Sequence, residues 1–447
     1  MKHDPQHRIF RREMTRRDFL WLVSAAGAVT ALGGCATDPV TGQSSLVGLT
    51  EQQEIEIDRK QSPHQFSADY GAVQDGALNR YVDDVERGLG SRSHRPQMPY
   101  SARVLNANYV NAYTFPGGSI GATRGILLEL QSEDELAALL GHETGHVNAR
   151  HAAEQAGRQM AVGLALVAGE VALATSNRGE WAPLVGIAGA IGGSALLAKY
   201  SRDDEREADA LGMTYMTRAT YNPDGMVKLM DVLRSQARAH PGLIETMFSS
   251  HPMSDERYAT ARRAAETNYS TYRGKPLARE RYMDQTAGLR ALKPAVEAEQ
   301  KGEELARASK LGEAESQFSR ALQIAPRDYT GLLLMAKLKV AQKRYAESEQ
   351  YVDRAIAVNP NEAQARQLAG ITKLANKNPQ QALQNFDAYD RMLPGNPSTQ
   401  FFKGVAYETM QNRRAAGEHY YRYLQSGARN DQAQYAARRL QEWGMIR

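Results

Sequence analysis

The sequence has little cysteine: a single residue among 447, at position 35. One cysteine cannot form an intramolecular disulfide, so packing must hold the fold together. The chain also lacks an excess of charge of one sign. Residues 1–35 carry six Lys and Arg against three Asp and Glu, which leaves 49 against 48 in the remainder, a net charge of +1. A nearly neutral chain gives no reason to expect a nucleic-acid partner.

Proline and glycine are not abundant either, at 17 and 37 residues. This excludes a collagen-like or mucin-like chain, and 42% hydrophobic with 24% charged residues is typical of a globular protein rather than a disordered one. The mean hydropathy of −0.55 excludes a polytopic transporter. At roughly 100–200 residues per domain, the length predicts two to three domains.

Long hydrophobic runs are also missing at the N-terminus, where a short apolar run follows Arg16-Arg17-Asp18-Phe19-Leu20. It is shorter than the roughly 20 residues that span a bilayer. The twin arginine resembles the signal for export of folded proteins, and the closing Leu32-Gly33-Gly34-Cys35 resembles a bacterial lipobox. We therefore expect a signal peptide over 1–35, a lipid on Cys35 and a flexible tether over 36–50. A transmembrane anchor and a buried structural thiol are the alternatives.

The C-terminal third repeats with a period of 34 residues, the spacing of Pro326, Pro360 and Pro394. Small and aromatic or branched positions recur with the same period: Gly302, Ala336, Gly370 and Gly404; Ala314, Ser348, Ala382 and Ala416; Phe318, Val352, Phe386 and Tyr420. Small residues let two helices approach closely, and proline ends the second helix. The pattern resembles the tetratricopeptide repeat.

The repeat pattern also predicts the organisation of this region. We expect a helical linker over 273–294 and a capping helix over 431–447. Between them we expect four helical hairpins, over 295–328, 329–362, 363–396 and 397–430. Such α-solenoids present concave surfaces that dock other proteins, so a protein partner is expected here. The alternative is that the array only stabilises the rest of the chain.

The segment from Ser132 to His146 predicts a helix that carries a metal site. Ser132 and Glu135 form a capping-box pattern at its start. His142 and His146 lie on one helical face with Glu143 between them and the apolar side. This is the H-E-x-x-H pattern, in which two histidines bind zinc and the glutamate takes a proton from water. Two histidines on an ordinary core helix are the alternative.

The metzincin class of metallopeptidase is excluded, because it requires Gly and His where the chain has Ala149 and Ala152. His151 points about 180° from His142 on a continuous helix, so we expect it to be structural or exposed.

A later acidic stretch offers a third ligand from a second helix. Glu205 and Asp209 share a helical face with Gly212, and the small Ala208 and Gly212 allow close approach to the first helix. We expect Glu205 to ligate zinc and Asp209 to hydrogen-bond a ligand histidine. Taken alone, the stretch would be read as a solvated helix face.

Several segments together resemble the gluzincin metallopeptidases of the HtpX, BepA and CAAX prenyl-protease type, in particular the BepA-like periplasmic branch. They are Asn111-Ala112-Tyr113-Thr114-Phe115-Pro116-Gly117-Gly118-Ser119-Ile120, Thr123-Arg124-Gly125, the H-E-x-x-H segment, Ser201-Arg202, Glu205 with Asp209, Ser250-His251-Pro252 and Arg257. The resemblance implies His142, His146 and Glu205 as zinc ligands and Glu143 as base. It also implies a mainly α (α+β) protease domain with a small β-hairpin or sheet, over 51–272, followed by the repeat α-solenoid.

Two other segments have less certain roles. β-prone runs on both sides of Pro116 predict a hairpin, and its edge near Asn111, Gly117 and Gly118 could hold a substrate as an added strand. A hairpin that only covers the core is the alternative. The apolar segment 160–198 is expected to form buried helices or a mobile flap, with a membrane hairpin as the alternative.

His251 precedes Pro252, which disfavours helix, and Ser254 starts the next predicted helix. We therefore expect His251 on a loop before a helix N-terminus, whose positive end lowers the pKa of the imidazole. By resemblance this loop faces the active site. His251 would then occupy the open zinc position at rest or stabilise the transition state; a structural loop histidine is the alternative.

These features predict an exported, lipid-anchored metalloendopeptidase with one zinc ion per chain. The resemblance implies cell-envelope quality control, with misfolded or stalled envelope proteins as substrates. Ala36 after Cys35 favours the periplasmic side of the outer membrane, if the organism has one. The alternative is an envelope assembly chaperone or scaffold with a latent zinc site.

Overall fold

The computed structural model describes residues 36–37, 39–40, 44–45, 49–154, 199–239 and 241–447. The predicted leader with Cys35, much of the predicted tether and the apolar segment 160–198 lie outside these residues. Two short strands, β1 (Ala36–Thr37) and β2 (Ser44–Ser45), pair antiparallel. None of the helices in the described ranges combines the length and the apolar character that a bilayer span requires.

A small mixed sheet lies in the N-terminal half. Strand β3 (Ser101–Leu105) runs parallel to β5 (Ser119–Thr123), which also pairs antiparallel with β4 (Ala112–Thr114), so that the order is β3-β5-β4. The predicted hairpin is therefore present, and β4 is its edge strand. The helices of this half are α1 (Glu51–Ala68), α2 (Gly76–Gly90), α3 (Arg124–Glu129), α4 (Glu133–Asn148), α5 (Arg202–Arg218), α6 (Asp224–Ala239), α7 (Pro241–Ser250), α8 (Asp255–Thr267), α9 (Arg279–Gln285) and α10 (Ala287–Ala291).

Helix α4 runs through the centre of this half, and each of its residues is buried. Leu136, Leu139 and Leu140 belong to its main apolar core. The Ser132 hydroxyl caps the helix by accepting a hydrogen bond from the Glu135 backbone N–H. The Glu135 carboxylate accepts from the Gln131 backbone N–H and from the Ser132 hydroxyl, not from the Ser132 backbone N–H as in a capping box. The predicted helix start is therefore present, because the capping hydroxyl satisfies an otherwise free amide.

The C-terminal half is a stack of helical hairpins, and the prediction of a mainly α fold is confirmed. Each predicted repeat range holds one hairpin, the first of which starts slightly early, at Lys293. The helices are α11 (Lys293–Arg307), α12 (Leu311–Ile324), α13 (Tyr329–Ala341), α14 (Tyr345–Val358), α15 (Ala363–Ala375), α16 (Pro379–Met392), α17 (Pro397–Thr409), α18 (Arg413–Gln425) and α19 (Asp431–Glu442).

The small and aromatic columns of the sequence repeat contact each other inside the hairpins. A Cβ atom added to Gly302 would lie 2.4 Å from the Phe318 ring, and one added to Gly370 would lie 2.3 Å from Phe386. The ring therefore occupies the space that a larger residue would need, which explains the 34-residue recurrence of the pair.

The predicted linker 273–294 is more than a connection. It forms α9 and α10, and Tyr282 and Leu289 lie in the main core of the N-terminal half. The Tyr282 hydroxyl donates to the backbone oxygen of Leu127 at 2.6 Å. Its burial therefore makes the segment part of the N-terminal half.

The two halves are joined by a buried polar interface around Arg124. The Arg124 side chain, which is 1% exposed, forms ion pairs with Glu299 of α11 and, at 2.6 Å, with Asp328 before α13. Asn108 donates to Glu303 at 3.1 Å. These contacts bury charge between the halves, so each half supplies partners that the other needs.

Apolar and backbone contacts extend the same interface. Tyr70 and Ala107 belong to the core cluster of the first two hairpins, and Thr330 donates to the backbone oxygen of Asn106 at 2.9 Å. Gln364 of α15 donates to the backbone oxygen of Ser67 at 3.0 Å. The first helices of three hairpins thus pack on the N-terminal half, where the repeat pattern alone had indicated a surface for a separate partner.

Replacing Arg124 with Met should lower the free energy of unfolding by about 3–5 kcal/mol, because Glu299 and Asp328 would remain buried without their cation. Thermal and denaturant unfolding of the whole chain would measure this. Arg87→Met is the matched control: Arg87 is 65% exposed in its pair with Asp83, and its loss should cost less than about 1 kcal/mol. Equal small effects would show that the two halves do not depend on this ion pair.

Candidate active site

Helices α4 and α5 touch backbone to backbone, because glycines line their contact. A Cβ atom on Gly145 would lie 2.7 Å from the Ala208 backbone oxygen, and one on Gly212 would lie 2.8 Å from the His142 backbone nitrogen. The small residues Ala208 and Gly212 of α5, which were expected to allow close approach, therefore contact glycines on α4. This approach lets short side chains from both helices share one site.

Four side chains converge there: His142 and His146 of α4, Glu205 of α5, and His251. Their potential ligand atoms all lie within 4.8 Å of one another, and all four residues are buried. Nε2 of His146 lies 3.1 Å from Nε2 of His142 and 3.2 Å from Oε1 of Glu205. The structure thus brings together the three ligands expected from the resemblance and His251, which was expected to face them.

Glu143 lies beside this cluster, with Oε1 3.8 Å from Nε2 of His251. Both of its carboxylate oxygens are buried and have no hydrogen-bond partner among the described residues. Burial raises the pKa of Glu143, and the nearby His251 and His142 offset only part of that rise. A carboxylate in this state binds a proton more readily than one in water, which suits a general base.

Arg257 of α8 organises the acidic side of the site. Its guanidinium donates to Asp209 at 2.7 and 2.8 Å and contacts Oε2 of Glu205 at 2.5 Å. Burial acts to raise the pKa of Asp209, but Arg257 outweighs it and lowers that pKa. Asp209 in turn contacts Nδ1 of His142 at 2.9 Å, in the position expected for it.

The charge state of Glu205 and His146 follows from the same neighbours. Burial acts to raise the pKa of Glu205, but His251, His142 and the hydrogen bond with His146 bring it well below its usual value. Burial lowers the pKa of His146 well below its ordinary value. An ionised carboxylate beside a neutral imidazole is the form in which both groups bind a metal.

His151 does not lie where a continuous helix would put it. Helix α4 ends at Asn148, and Arg150 adopts a left-handed φ of 60°. The chain therefore turns, and Nδ1 of His151 lies 2.9 Å from Nδ1 of His146. We expected a structural or exposed residue. His151 is instead buried, 6% exposed, against a proposed ligand. No sequence signal indicated this turn, because Ala149, Ala152 and Ala153 favour a continuous helix.

His251 lies on the expected loop, between α7 and α8, and faces the cluster, but the direction of its pKa shift differs from the expectation. It directly follows α7, and its backbone N–H still donates to the oxygen of Met247 at 2.6 Å. His251 therefore lies nearest to the C-terminal end of α7, which is the negative end of that helix's dipole. Burial acts to lower the pKa of His251, but the carboxylates of Glu205 and Glu143 raise it. The expected lowering by the following helix is wrong, because the adjacent carboxylates dominate.

The residues that we expected to form a substrate-binding strand edge, Asn111, Gly117 and Gly118, are all buried. Gly117 and Gly118 are buried in the turn, where added Cβ atoms would lie 2.6 Å from Asp58 of α1 and 3.1 Å from Tyr100. These two residues therefore cannot form an open edge, because α1 covers the turn, a contact that the hairpin pattern does not encode.

Strand β4 is also buried: Ala112 is fully buried and Thr114 is 8% exposed. In the β4-β5 pairing, the backbone groups of Asn111 and Phe115 bond to β5, so those of Ala112 and Thr114 point outward. Asn111 is fully buried, and its side-chain amide has no hydrogen-bond partner among the described residues.

The residues of the cluster fit a zinc ion. Two imidazole nitrogens with one carboxylate oxygen form a donor set that Zn²⁺ takes in catalytic sites, with a further position left for water or substrate. Nε2 of His251 and both oxygens of Glu143 are buried without partners among the described residues. Buried polar atoms are normally satisfied, so their convergence indicates a group that binds between them.

Two family models match the chain. The model of peptidase family M48 matches residues 75–265, a range that includes every residue of the cluster. A tetratricopeptide repeat model matches residues 305–370. The two matches correspond to the two halves of the fold.

Individual relatives are similar over the same region. A Vibrio cholerae serotype O1 protein, assigned by its name to the beta-barrel assembly-enhancing proteases, is 29% identical over 233 residues, 49% of this chain and 46% of that protein. The beta-barrel assembly-enhancing protease of Escherichia coli K12 is 25% identical over 195 residues, 43% of this chain and 40% of that protein. The metalloprotease YcaL of the same strain is 30% identical over 186 residues, 42% of this chain and 69% of YcaL. The chain thus spans less than half the length of the first two relatives.

Gly145→Ala should separate α4 from α5, because its Cβ would lie 2.7 Å from the Ala208 oxygen. We expect a loss of about 1–3 kcal/mol of stability from overpacking and reduced zinc content, measured by thermal unfolding and metal analysis. Gly312→Ala in α12 is the control: no atom lies within 4 Å of its added Cβ, and the change should stabilise the helix by up to about 1 kcal/mol. Full zinc content and an unchanged Tm in Gly145→Ala would contradict the need for this contact.

Proposed function

We propose that this chain, which belongs to peptidase family M48, is a zinc-dependent endopeptidase that cleaves unfolded or misassembled proteins of the bacterial cell envelope. The observation that carries the proposal is the convergence of His142, His146 and Glu205 within 4.8 Å beside the unpartnered carboxylate of Glu143. The family and the names of the metalloprotease relatives support the reaction class.

Each residue of the site has a distinct role in this proposal. His142, His146 and Glu205 hold the zinc ion, which when bound acidifies water and polarises a peptide carbonyl. Glu143 accepts the proton of the attacking water on one of its carboxylate oxygens and returns it to the leaving amine. Asp209 accepts a hydrogen bond from Nδ1 of His142 and so orients that ligand.

His251 has two candidate roles, and its position supports both. Its Nδ1 lies 3.4 Å from Nε2 of His142 and 2.9 Å from Oε1 of Glu205, so the imidazole can complete the ligand set as a fourth ligand and hold the enzyme at rest. Its Nε2 lies 3.8 Å from Glu143 and has no partner among the described residues, so it can also donate to a developing oxyanion.

Substrate would bind as an extended strand along the outer edge of β4. The outward backbone groups of Ala112 and Thr114 would pair with the peptide main chain, and the unpartnered Asn111 amide would add a further polar contact. Main-chain pairing does not depend on side-chain identity. Such an edge suits an enzyme that acts on unfolded chains of varied sequence.

The cellular setting is proposed from the relatives and the leader together. The names of two relatives refer to beta-barrel assembly, and the leader resembles that of an exported lipoprotein acylated at Cys35. The first helices of three hairpins contact the catalytic half, so we assign partner docking to the fourth hairpin and α19.

Glu143→Gln should keep one zinc per chain and lower kcat/KM on an unfolded protein such as casein by about 100-fold or more, because the base is not a ligand. Metal analysis and proteolysis of residues 36–447 would measure both. His146→Ala and Glu205→Ala should lose metal as well as cleavage, whereas Glu313→Gln, an exposed glutamate of α12, should change neither.

Two results of that experiment would count against the proposal. Loss of zinc in Glu143→Gln would make Glu143 a ligand instead of the base. If Glu143→Gln abolished cleavage of casein and yet kept the biological activity, the chain would act as the alternative, an assembly chaperone or scaffold.

His251→Ala distinguishes the roles of that residue on a short peptide substrate, with zinc content measured in parallel. A resting-state ligand predicts faster cleavage, because the fourth position is freed. A transition-state donor predicts a lower kcat with little change in KM. Unchanged kinetics with unchanged zinc affinity would leave only a structural role for this histidine.

A further inference from the structure

We infer that His151 is a positioning residue for the metal site: it accepts a hydrogen bond from Nδ1 of His146 and so holds Nε2 of His146 toward the metal. This inference rests on the proposed zinc site. It reverses the sequence-based expectation, in which His151 pointed away from the ligands.

The tautomers of the two rings follow from the ligand geometry. Nε2 of His146 faces the cluster, 3.2 Å from Oε1 of Glu205, so this atom must offer its lone pair to the metal. The ring hydrogen of neutral His146 is then on Nδ1. Since Nδ1 of His151 lies 2.9 Å away, it must be the acceptor.

The other side of His151 is consistent with that assignment. If Nδ1 accepts, the hydrogen of the neutral ring is on Nε2. This nitrogen lies 3.5 Å from a carboxylate oxygen of Glu207 and 3.8 Å from one of Asp204, both on α5. The carboxylates favour a hydrogen on the atom that faces them, so they favour the accepting form of Nδ1.

The two ligand histidines are therefore held in the same way by different groups. Nδ1 of His142 lies 2.9 Å from Asp209, and Nδ1 of His146 lies 2.9 Å from His151. A ligand histidine commonly has its second nitrogen hydrogen-bonded, which sets the ring orientation. Among the described residues, His151 is the group that contacts Nδ1 of His146.

Stacking alone would leave the orientation of the His146 ring undecided. The Tyr200 ring lies parallel to it, with centroids 3.8 Å apart and planes 20° apart. This contact fixes the ring plane, but a half rotation about the Cβ–Cγ bond keeps that plane and moves Nε2 away from the cluster. The hydrogen bond to His151 distinguishes the two orientations.

The backbone conformation of Arg150 places His151 next to His146. A left-handed φ is uncommon for a residue other than glycine and persists when surrounding contacts enforce it. The Arg150 side chain, which is 7% exposed, donates to Glu54 at 2.7 Å and to the backbone oxygen of Leu49 at 2.6 Å. These buried contacts hold the turn that returns the chain to His146.

Zinc affinity of the apo protein, measured by competition with a chromophoric chelator, tests the inference. His151→Leu removes the acceptor and fills its space, and should weaken zinc binding by about 10–100-fold. His151→Asn keeps an acceptor near the position of Nδ1 and should stay within about threefold of the unmodified protein. The visible spectrum of the Co²⁺-loaded protein should change in His151→Leu and be preserved in His151→Asn.

Matched variants separate this effect from a general loss of structure. His419→Leu removes another half-buried histidine, in α18, and should leave zinc affinity unchanged. If His151→Leu does not fold, as judged by circular dichroism, His151→Ala takes its place in the comparison with His151→Asn.

Each outcome bears on one claim. Tight zinc binding by His151→Leu or His151→Ala would overturn the inference, as would an equal loss in His151→Asn, which would mean that the ring packs without orienting the ligand. If the unmodified protein binds no zinc, the proposed function itself fails, a result distinct from failure of this inference alone.

Discussion

The close contact between α4 and α5 is the constraint on which the rest of the site depends. Gly141 and Gly145 on one helix meet Ala208 and Gly212 on the other, so no side chain separates the two backbones. His142, His146 and Glu205 can then reach a common point while remaining short and buried. The long helices supply rigidity, because each is packed along most of its length into the core.

Burial of so much charge at one place requires a surrounding set of partners. Arg257 forms ion pairs with Asp209 and Glu205, and Asp209 and His151 each contact Nδ1 of a histidine proposed as a ligand. Glu143 is excluded from this arrangement and retains a raised pKa. The site thus separates the residues proposed to hold a metal from the residue proposed to move a proton.

The repeats supply buried acidic partners to the catalytic half. Arg124 follows directly after the strand β5 and is buried between acidic groups of α11 and of the turn before α13. Strand β5 pairs with β4, the proposed substrate edge. A rigid contact therefore runs from the first hairpins to the sheet that borders the site, and a deletion of the repeats would remove part of that support.

The sequence by itself determined the features that depend on local spacing: two histidines four residues apart on one helix, an acidic face with small residues on another, and hairpins every 34 residues. Helical periodicity suffices for these, since neighbours on one helix face are fixed by 3.6 residues per turn. Only the tertiary structure decided that His151 returns to His146, that Gly117 and Gly118 are covered, and that the linker and the repeats join the catalytic core. These depend on the left-handed Arg150 and on contacts between residues far apart in the chain, which no local pattern specifies.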